Sequence, residues 1–156
     1  MERQKRVILI GRTSAGKTTL SQRLSGQALQ YRKTQAVEIV SRSVIDTPGE
    51  YLERRSGRGA LMVTAADADL IVLVQDATEG GTMFPPAYGS QFAKEAVGVV
   101  TKIDRADPGQ VERAREYLKM AGAGRIFALS SVTGEGMEPL RRYLEARTEG
   151  AASGEG

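Results

Sequence analysis

The chain has 156 residues, of which 40% are hydrophobic and 26% are charged, and it contains neither cysteine nor histidine. This length predicts one compact domain that folds without a metal or a disulfide. The two missing residue types exclude disulfide frameworks, thiolate metal centres, cysteine nucleophiles and histidine bases. The formal net charge of +3 is small and the basic residues are scattered, so we expect no nucleic-acid binding.

The apolar runs and the two ends of the chain indicate where the protein resides. No apolar run approaches the roughly 20 residues of a membrane span, and the charged start, MERQKR, lacks a signal-peptide pattern. We therefore expect a cytoplasmic protein without a transmembrane segment. We also expect a single domain over residues 1–149 and a disordered tail over residues 150–156, because the small residues of the tail bury little surface.

Short apolar segments alternate with helix-like segments, which is typical of a parallel sheet covered by helices on both faces. The predicted strands are residues 7–10, 37–40, 44–45, 70–74, 96–100 and 126–129. The second and third of these strands are close enough to form a tight hairpin. Glycine and proline pairs between the fourth and fifth strands predict a loop with at most a short helix.

Three helices are predicted from the spacing of apolar residues. The first carries Leu20 and Leu24, four positions apart, and is expected to stop at Gly26. The second spans residues 111–121, where apolar residues repeat at steps of three and four. The third is marked by three apolar residues near the end of the chain, Met137, Leu140 and Leu144.

Residues 11–18, GRTSAGKT, match the phosphate-binding pattern G-x-x-x-x-G-K-[ST] where the first strand ends and the first helix begins. Glycines let the backbone present its N–H groups to a polyphosphate, and the helix N-terminus adds positive potential. Lys17 supplies a full charge, and Thr18 offers a hydroxyl to Mg²⁺. A glycine-rich turn without a ligand is the alternative. The predicted nucleotide contacts here are Gly11, Arg12, Thr13, Ser14, Ala15, Gly16, Lys17, Thr18 and Thr19.

Residues 46–49, DTPG, follow the third predicted strand. Asp46 is suited to the Mg²⁺ shell, and the N–H of Gly49 is suited to a γ-phosphate. An ordinary turn is the alternative. Thr34, in the polar segment 32–36, is a candidate for a second hydroxyl on Mg²⁺, with a polar loop as the alternative. We assign catalytic roles to Lys17, Thr34 and Gly49.

Residues 101–104, TKID, follow the fifth predicted strand and indicate which base is bound. Guanine presents two adjacent donors that a carboxylate accepts together, and adenine has no matching pair, so Asp104 is the candidate for guanine recognition. Lys102 would lay its aliphatic stem on the base, and Thr101 would tie this loop to residues 11–18. An exposed Lys/Asp turn is the alternative.

A further loop, SSVTG, follows the last predicted strand. A backbone N–H of Ser130, Ser131 or Val132 is placed to donate to the guanine O6 atom. The alternative, compatible with that role, is an N-cap for the last helix.

Together, GRTSAGKT, Thr34, DTPG, TKID and SSVTG resemble the five nucleotide-contact motifs of the Ras-like P-loop GTPases, in the same order. The stretches KTQA, IDTPGEY, TAADAD, LVQDAT and FPP further resemble the EutP/PduV proteins, small bacterial GTPases associated with ethanolamine and propanediol utilisation and their microcompartments. The resemblance implies a three-layer α/β P-loop fold with a six-stranded, mostly parallel sheet. It also implies GTP or GDP and Mg²⁺ as ligands, and a cytosolic setting.

The sequence departs from the wider Ras-like pattern at Glu50, where many relatives carry glutamine. A carboxylate only accepts hydrogen bonds and repels phosphate oxygens, so we expect slow unaided hydrolysis and assign Glu50 no role as a base. Because the interval between Thr34 and Asp46 is short, the second and third strands must also be short. The hairpin surface at which such proteins usually bind effectors is therefore small. Three nearby arginines, Arg32, Arg54 and Arg55, are candidates for charge stabilisation, with surface ion pairs as the alternative.

Three functions are compatible with these motifs. The first is a GTP-dependent switch. Its protein partner is an effector or activator, or a shell or enzyme component of a microcompartment, which recognises the nucleotide-bound state. The second is a phosphotransferase that passes the γ-phosphate to a small metabolite, although an acceptor-binding lid is hard to find in 156 residues. The third is an assembly or docking protein that binds nucleotide mainly for structure.

Overall fold

The computed structural model describes residues 6–31, 44–47 and 49–153. The strands are Val7–Ile10 (β1), Val44–Asp46 (β2), Leu70–Asp76 (β3), Glu95–Thr101 (β4) and Ile126–Ala128 (β5). They form a five-stranded sheet in the order β2-β1-β3-β4-β5, and every pairing is parallel. The α/β class and the parallel sheet are therefore confirmed. The strand predicted at residues 37–40, with its hairpin, lies outside the described residues, so five strands are seen where six were predicted.

The helices are Lys17–Tyr31 (α1), Glu50–Glu53 (α2), Arg55–Ala65 (α3), Pro108–Met120 (α4) and Met137–Ser153 (α5). Short 3₁₀ turns occupy Tyr88–Gln91 and Ile103–Arg105. The first of these turns agrees with the prediction of a loop with at most a short helix between β3 and β4. None of the helices within the described ranges is long and apolar enough to cross a membrane.

Three helix predictions differ from the structure. α1 passes Gly26 and ends at Tyr31, so the predicted stop at Gly26 was wrong; an interior glycine costs only about 1 kcal/mol relative to alanine and does not block helix geometry. α5 continues through Ser153, four residues into the segment predicted as a disordered tail. α2 and α3 were not predicted from the sequence.

The core consists of two apolar layers, one on each face of the sheet. Because successive strand residues point to opposite faces, β1 sends Ile8 and Ile10 to one layer and Val7 and Leu9 to the other. Helices α3 and α4 cover the first layer with Leu61 and Leu118, and helices α1 and α5 cover the second with Leu20 and Leu140. Burial on both faces explains why these strands are continuous apolar runs rather than alternating ones.

The parallel arrangement brings the polar motifs to one edge of the sheet. β1 leads into residues 11–18, and β4 leads into residues 102–104. Strand register places Asp46 beside Leu9 and Asp76 beside Thr101. Loops at the carboxyl ends of parallel strands form the usual ligand-binding edge of such sheets, so the candidate site lies here.

Candidate nucleotide-binding site

The loop over residues 11–16 curls tightly between β1 and α1. Ser14 and Gly16 have positive φ angles of 69° and 102°, a conformation that glycine adopts without strain. A side chain at Gly11 would meet the Val74 carbonyl oxygen at 2.7 Å. Lys17 is 5% exposed, and its Nζ donates to the Arg12 carbonyl oxygen at 3.1 Å. The loop therefore folds back over the ammonium of the first helical residue.

Thr101 and Lys102 hold this loop from the side of β4. Thr101 Oγ1 donates to the Ala15 carbonyl oxygen at 2.6 Å, a buried contact that confirms the predicted tie. Lys102 Nζ donates to the Ser14 carbonyl oxygen at 2.7 Å. The two neighbouring loops are thus joined before any ligand contributes.

Asp76, at the end of β3, was missed by the sequence reasoning. Its carboxylate pairs with Lys102 Nζ at 2.9 Å and accepts from the N–H and hydroxyl of Thr78. Burial raises the pKa of Asp76, but the hydrogen bonds from Thr78 and Lys102 outweigh that effect and leave the pKa below its usual value. The ionised carboxylate fixes Lys102, whose backbone is left-handed with φ 63°.

Asp104 is exposed within the 3₁₀ turn Ile103–Arg105. The N–H of Ile103 donates to the Leu129 carbonyl oxygen at 3.3 Å. That contact places the Asp104 turn next to the loop that begins at Ser130. The two segments predicted to recognise guanine are therefore neighbours.

The loop at residues 130–134 is organised by Ser130. Ser130 is fully buried, and its Oγ accepts from the N–H of Thr133 at 3.0 Å. The predicted alternative, an N-cap of the last helix, was wrong because α5 begins at Met137 and Ser130 instead closes a local turn. Ser131 Oγ is buried without a hydrogen-bond partner, whereas Val132 is 68% exposed. Base contact by these residues stays a prediction.

Gly49 packs directly on the phosphate-binding loop. A Cβ at Gly49 would overlap the backbone of Thr13, so no larger residue fits there without displacing the loop. The preceding Thr47 is buried, and its Oγ1 donates to the Leu9 carbonyl oxygen at 2.7 Å. Thr47, which was not predicted as a site residue, thereby anchors the Gly49 segment to β1.

Glu53, the last residue of α2, also contacts this loop. Its Oε2 accepts from the N–H of Thr13 at 2.6 Å. That hydrogen bond is the main reason the pKa of Glu53 is below its usual value, and the charges of Arg12 and Lys17 add to it. A carboxylate oxygen thus accepts from a backbone amide of the loop, the type of contact predicted for a phosphate oxygen.

The predicted metal ligands are only partly placed. Thr18 lies in the first turn of α1, and Asp46 ends β2 beside Leu9 of β1. Thr34 lies outside the described residues. In the part of the chain that the structure describes, no group of three or more acidic, histidine or cysteine side chains could hold a metal. A hydroxyl with one carboxylate suits Mg²⁺, which keeps waters and phosphates as its other ligands.

The arginines near the site differ in their surroundings. Arg12 is paired with Glu79 at 2.6 Å, and this contact is the main cause of its raised pKa. Arg54 is exposed between α2 and α3. Arg55 begins α3, and Arg32 lies outside the described residues. Thr19 is exposed in the first turn of α1.

Solved structures place this architecture in a known class. The translation elongation factor SelB of Methanococcus maripaludis, in complex with the GTP analogue GPPNHP, superposes with a TM-score of 0.66 at 21% identity, over 94% of this chain and 34% of that one. The parallel sheet order and the link between residues 11–16 and residues 101–104 accord with this likeness, and the fold is that of the P-loop GTPases.

The family follows from sequence. The PduV-EutP family model, "Ethanolamine utilisation - propanediol utilisation", matches residues 4–146. The propanediol utilization protein PduV of Citrobacter freundii is 39% identical over 92% of this chain and 95% of that protein. The probable acetate kinase EutP of Escherichia coli K12 is 32% identical over 97% and 96%. The chain belongs to the PduV-EutP family, as its motifs indicated.

Proposed function

We propose that this protein binds GTP with Mg²⁺, hydrolyses it slowly and acts as a nucleotide-dependent switch in propanediol or ethanolamine utilisation. The observation that carries the proposal is the pair of hydrogen bonds from Thr101 to Ala15 and from Lys102 to Ser14. These contacts fix the loop that carries Asp104 relative to the loop that carries Lys17. A nucleotide carries its base and its phosphates at a set distance, so the two loops that bind them must also be held at a set distance.

Each end of the nucleotide has its own partners in this proposal. Asp104 accepts the two guanine donors, and Lys102 packs its stem on the ring. Backbone N–H groups of residues 13–18 and the charge of Lys17 bind the phosphates. Thr18 and Asp46 would hold Mg²⁺, which supplies neutralisation of charge on the phosphates when bound.

Slow hydrolysis follows from the acidic residues at the two ends of α2. Glu50 and Glu53 are both carboxylates in α2, and negative charges near phosphate oxygens oppose binding and activation of water. The chain has no histidine or cysteine to serve as a base. Lys17 and the loop amides therefore act by positioning and by stabilising charge, and an additional partner is needed for fast turnover.

The switch itself resides in the segments that flank β2. Gly49 touches Thr13, so a terminal phosphate beside Thr13 changes the contacts of the segment that leads into α2. An effector that reads this change is a protein partner, and a shell or enzyme component of a microcompartment fits the family. Cytoplasmic location in association with such a compartment belongs to the same proposal.

Competition binding tests the guanine assignment. A fluorescent GDP analogue bound to the full chain is titrated with unlabelled GTP, GDP and ATP in the presence of Mg²⁺. We expect displacement by GTP and GDP at concentrations at least about 100-fold below those needed for ATP, since a site built to pair with donors rejects a base without them. Equal displacement by ATP would refute the assignment.

A second candidate function is phosphoryl transfer to a small carboxylate. It is favoured by the name of the E. coli relative, probable acetate kinase EutP. In that reaction the bond between the β–γ bridging oxygen and the γ-phosphorus breaks while a carboxylate oxygen bonds to the γ-phosphorus, giving an acyl phosphate and a nucleoside diphosphate. Hydroxylamine trapping of products formed with acetate and either GTP or ATP distinguishes acetyl phosphate from free phosphate.

A further inference from the structure

Glu53 contacts a group that a nucleotide is expected to need. Its carboxylate accepts from the N–H of Thr13 at 2.6 Å. The side chain is exposed, so it fills no space in the core, whereas the neighbouring Leu52 is 2% exposed and anchors α2. The contact of Glu53 is therefore a polar interaction with the loop and not a requirement of packing.

The contacts around the loop indicate which end of a bound nucleotide the Thr13 amide would face. Ser14 and Ala15 are held by Lys102 and Thr101, on the side of the base. The backbone of Thr13 instead lies against Gly49. The base and the terminal phosphate are at opposite ends of a nucleotide, so the Thr13 N–H lies at the terminal-phosphate end.

We propose that Glu53 is a specificity-determining residue that disfavours the triphosphate relative to the diphosphate. Its carboxylate occupies the Thr13 N–H in the nucleotide-free and diphosphate states, and a terminal phosphate must displace it, because one N–H cannot serve two anions that also repel each other. This inference rests on the proposed guanine-nucleotide function. In addition, displacement of Glu53 by the terminal phosphate releases the end of α2 from the loop. A change at the protein surface then signals that a triphosphate is bound.

Removal of the Glu53 carboxylate should change the affinity for GTP relative to that for GDP. In the Glu53→Ala variant, we expect the affinity for a non-hydrolysable GTP analogue to rise about fivefold to tenfold, the range of one exposed charge-assisted hydrogen bond. The affinity for GDP stays within about twofold of wild type, because GDP leaves the Thr13 amide to Glu53. The measured quantity is the ratio of the two dissociation constants.

Two further variants separate the hydrogen bond from the charge, and a third is a control. Glu53→Asp keeps the charge but shortens the side chain by one methylene, so it loses the hydrogen bond and is expected to retain only part of the discrimination. Glu53→Gln keeps an acceptor without the charge and is also expected to be intermediate. Glu116→Ala is the matched control: it removes an exposed glutamate on α4 whose described partner is Lys119, and the ratio is expected to stay at the wild-type value.

The readouts are nucleotide titration and the amide resonance of Thr13 in the nucleotide-free protein. We expect the Thr13 resonance to move in Glu53→Ala and Glu53→Asp and to be unchanged in Glu116→Ala. An unchanged ratio in Glu53→Ala with intact GDP binding would overturn the inference and leave the proposed function standing. A Thr13 resonance insensitive to Glu53→Ala would also overturn it. Failure of the wild-type protein to bind any guanine nucleotide would contradict the proposed function itself.

Discussion

Thr101 and Ala15 are 86 positions apart in the sequence, yet the Thr101 hydroxyl donates to the Ala15 carbonyl oxygen at 2.6 Å in a buried contact. This hydrogen bond links the end of β4 to the loop that follows β1. It fixes residues 101–104, proposed to recognise the base, relative to residues 11–16, proposed to bind the phosphates, and the nucleotide affinity should depend on it.

Replacement of Thr101 by valine tests that dependence. Valine keeps the shape but leaves the buried Ala15 carbonyl without its donor, which costs about 1–3 kcal/mol. We expect a lower free energy of unfolding by denaturant titration and weaker binding of GDP and GTP alike. Thr101→Ser, which retains the hydroxyl, should restore both quantities, and equal losses in the two variants would argue against the hydrogen bond.

Asp104→Asn should change which base is bound. An amide donates where the carboxylate accepted, so we expect weaker binding of guanine nucleotides and a gain of binding to xanthine nucleotides, which carry an oxygen at the position of the guanine amino group. Fluorescent-nucleotide titrations with both bases measure the change. Unchanged GTP affinity in this variant would refute the role of Asp104.

Gly49→Ala should disturb the phosphate-binding loop. The added Cβ overlaps the backbone of Thr13, so we expect loss of GTP turnover and a smaller difference between the GDP-bound and GTP-bound proteins in limited proteolysis. Gly59→Ala is the matched control, because a Cβ at Gly59 in α3 meets nothing within 4 Å. It should leave turnover unchanged and raise stability by up to about 1 kcal/mol.

Acid should weaken the contact between Glu53 and Thr13. The pKa of Glu53 is lowered from 4.5 by the hydrogen bond from Thr13 and by the nearby charges of Arg12 and Lys17. A carboxylate whose pKa is lowered in the folded state stabilises that state fully above its ordinary pKa. This stabilisation is lost as the pH falls through the pKa of the folded state. The shift of the Thr13 amide resonance should thus have its midpoint below the ordinary pKa of a glutamate carboxyl. A midpoint at or above that ordinary value would contradict this.

Local sequence patterns were sufficient to predict the phosphate-binding loop and the base loop. Residues 11–18 and 101–104 carry their chemistry within a few consecutive positions. Glu53 and Asp76 carry no such local pattern: Glu53 reaches Thr13 across 40 positions, and Asp76 meets Lys102 only because β3 and β4 are paired. Side chains whose roles arise from tertiary approach are not visible in one sequence.

Helix α3 shows why part of the fold was also missed. Gly57 and Gly59 lower its helix propensity, and its apolar residues run consecutively from 60 to 63 instead of repeating at helical spacing. Packing decides the outcome, since Leu61 and Ala65 are buried one turn apart on the face toward the sheet.

We propose that Lys17 and residues 101–104 together support Mg²⁺-dependent hydrolysis of GTP. The most direct test is release of free phosphate from GTP and from ATP by the full chain, with and without candidate partner proteins, compared with Lys17→Ala. We predict slow release from GTP that exceeds release from ATP, is stimulated by a partner and is abolished in Lys17→Ala. Equal rates for wild type and Lys17→Ala, or for GTP and ATP, would contradict the account.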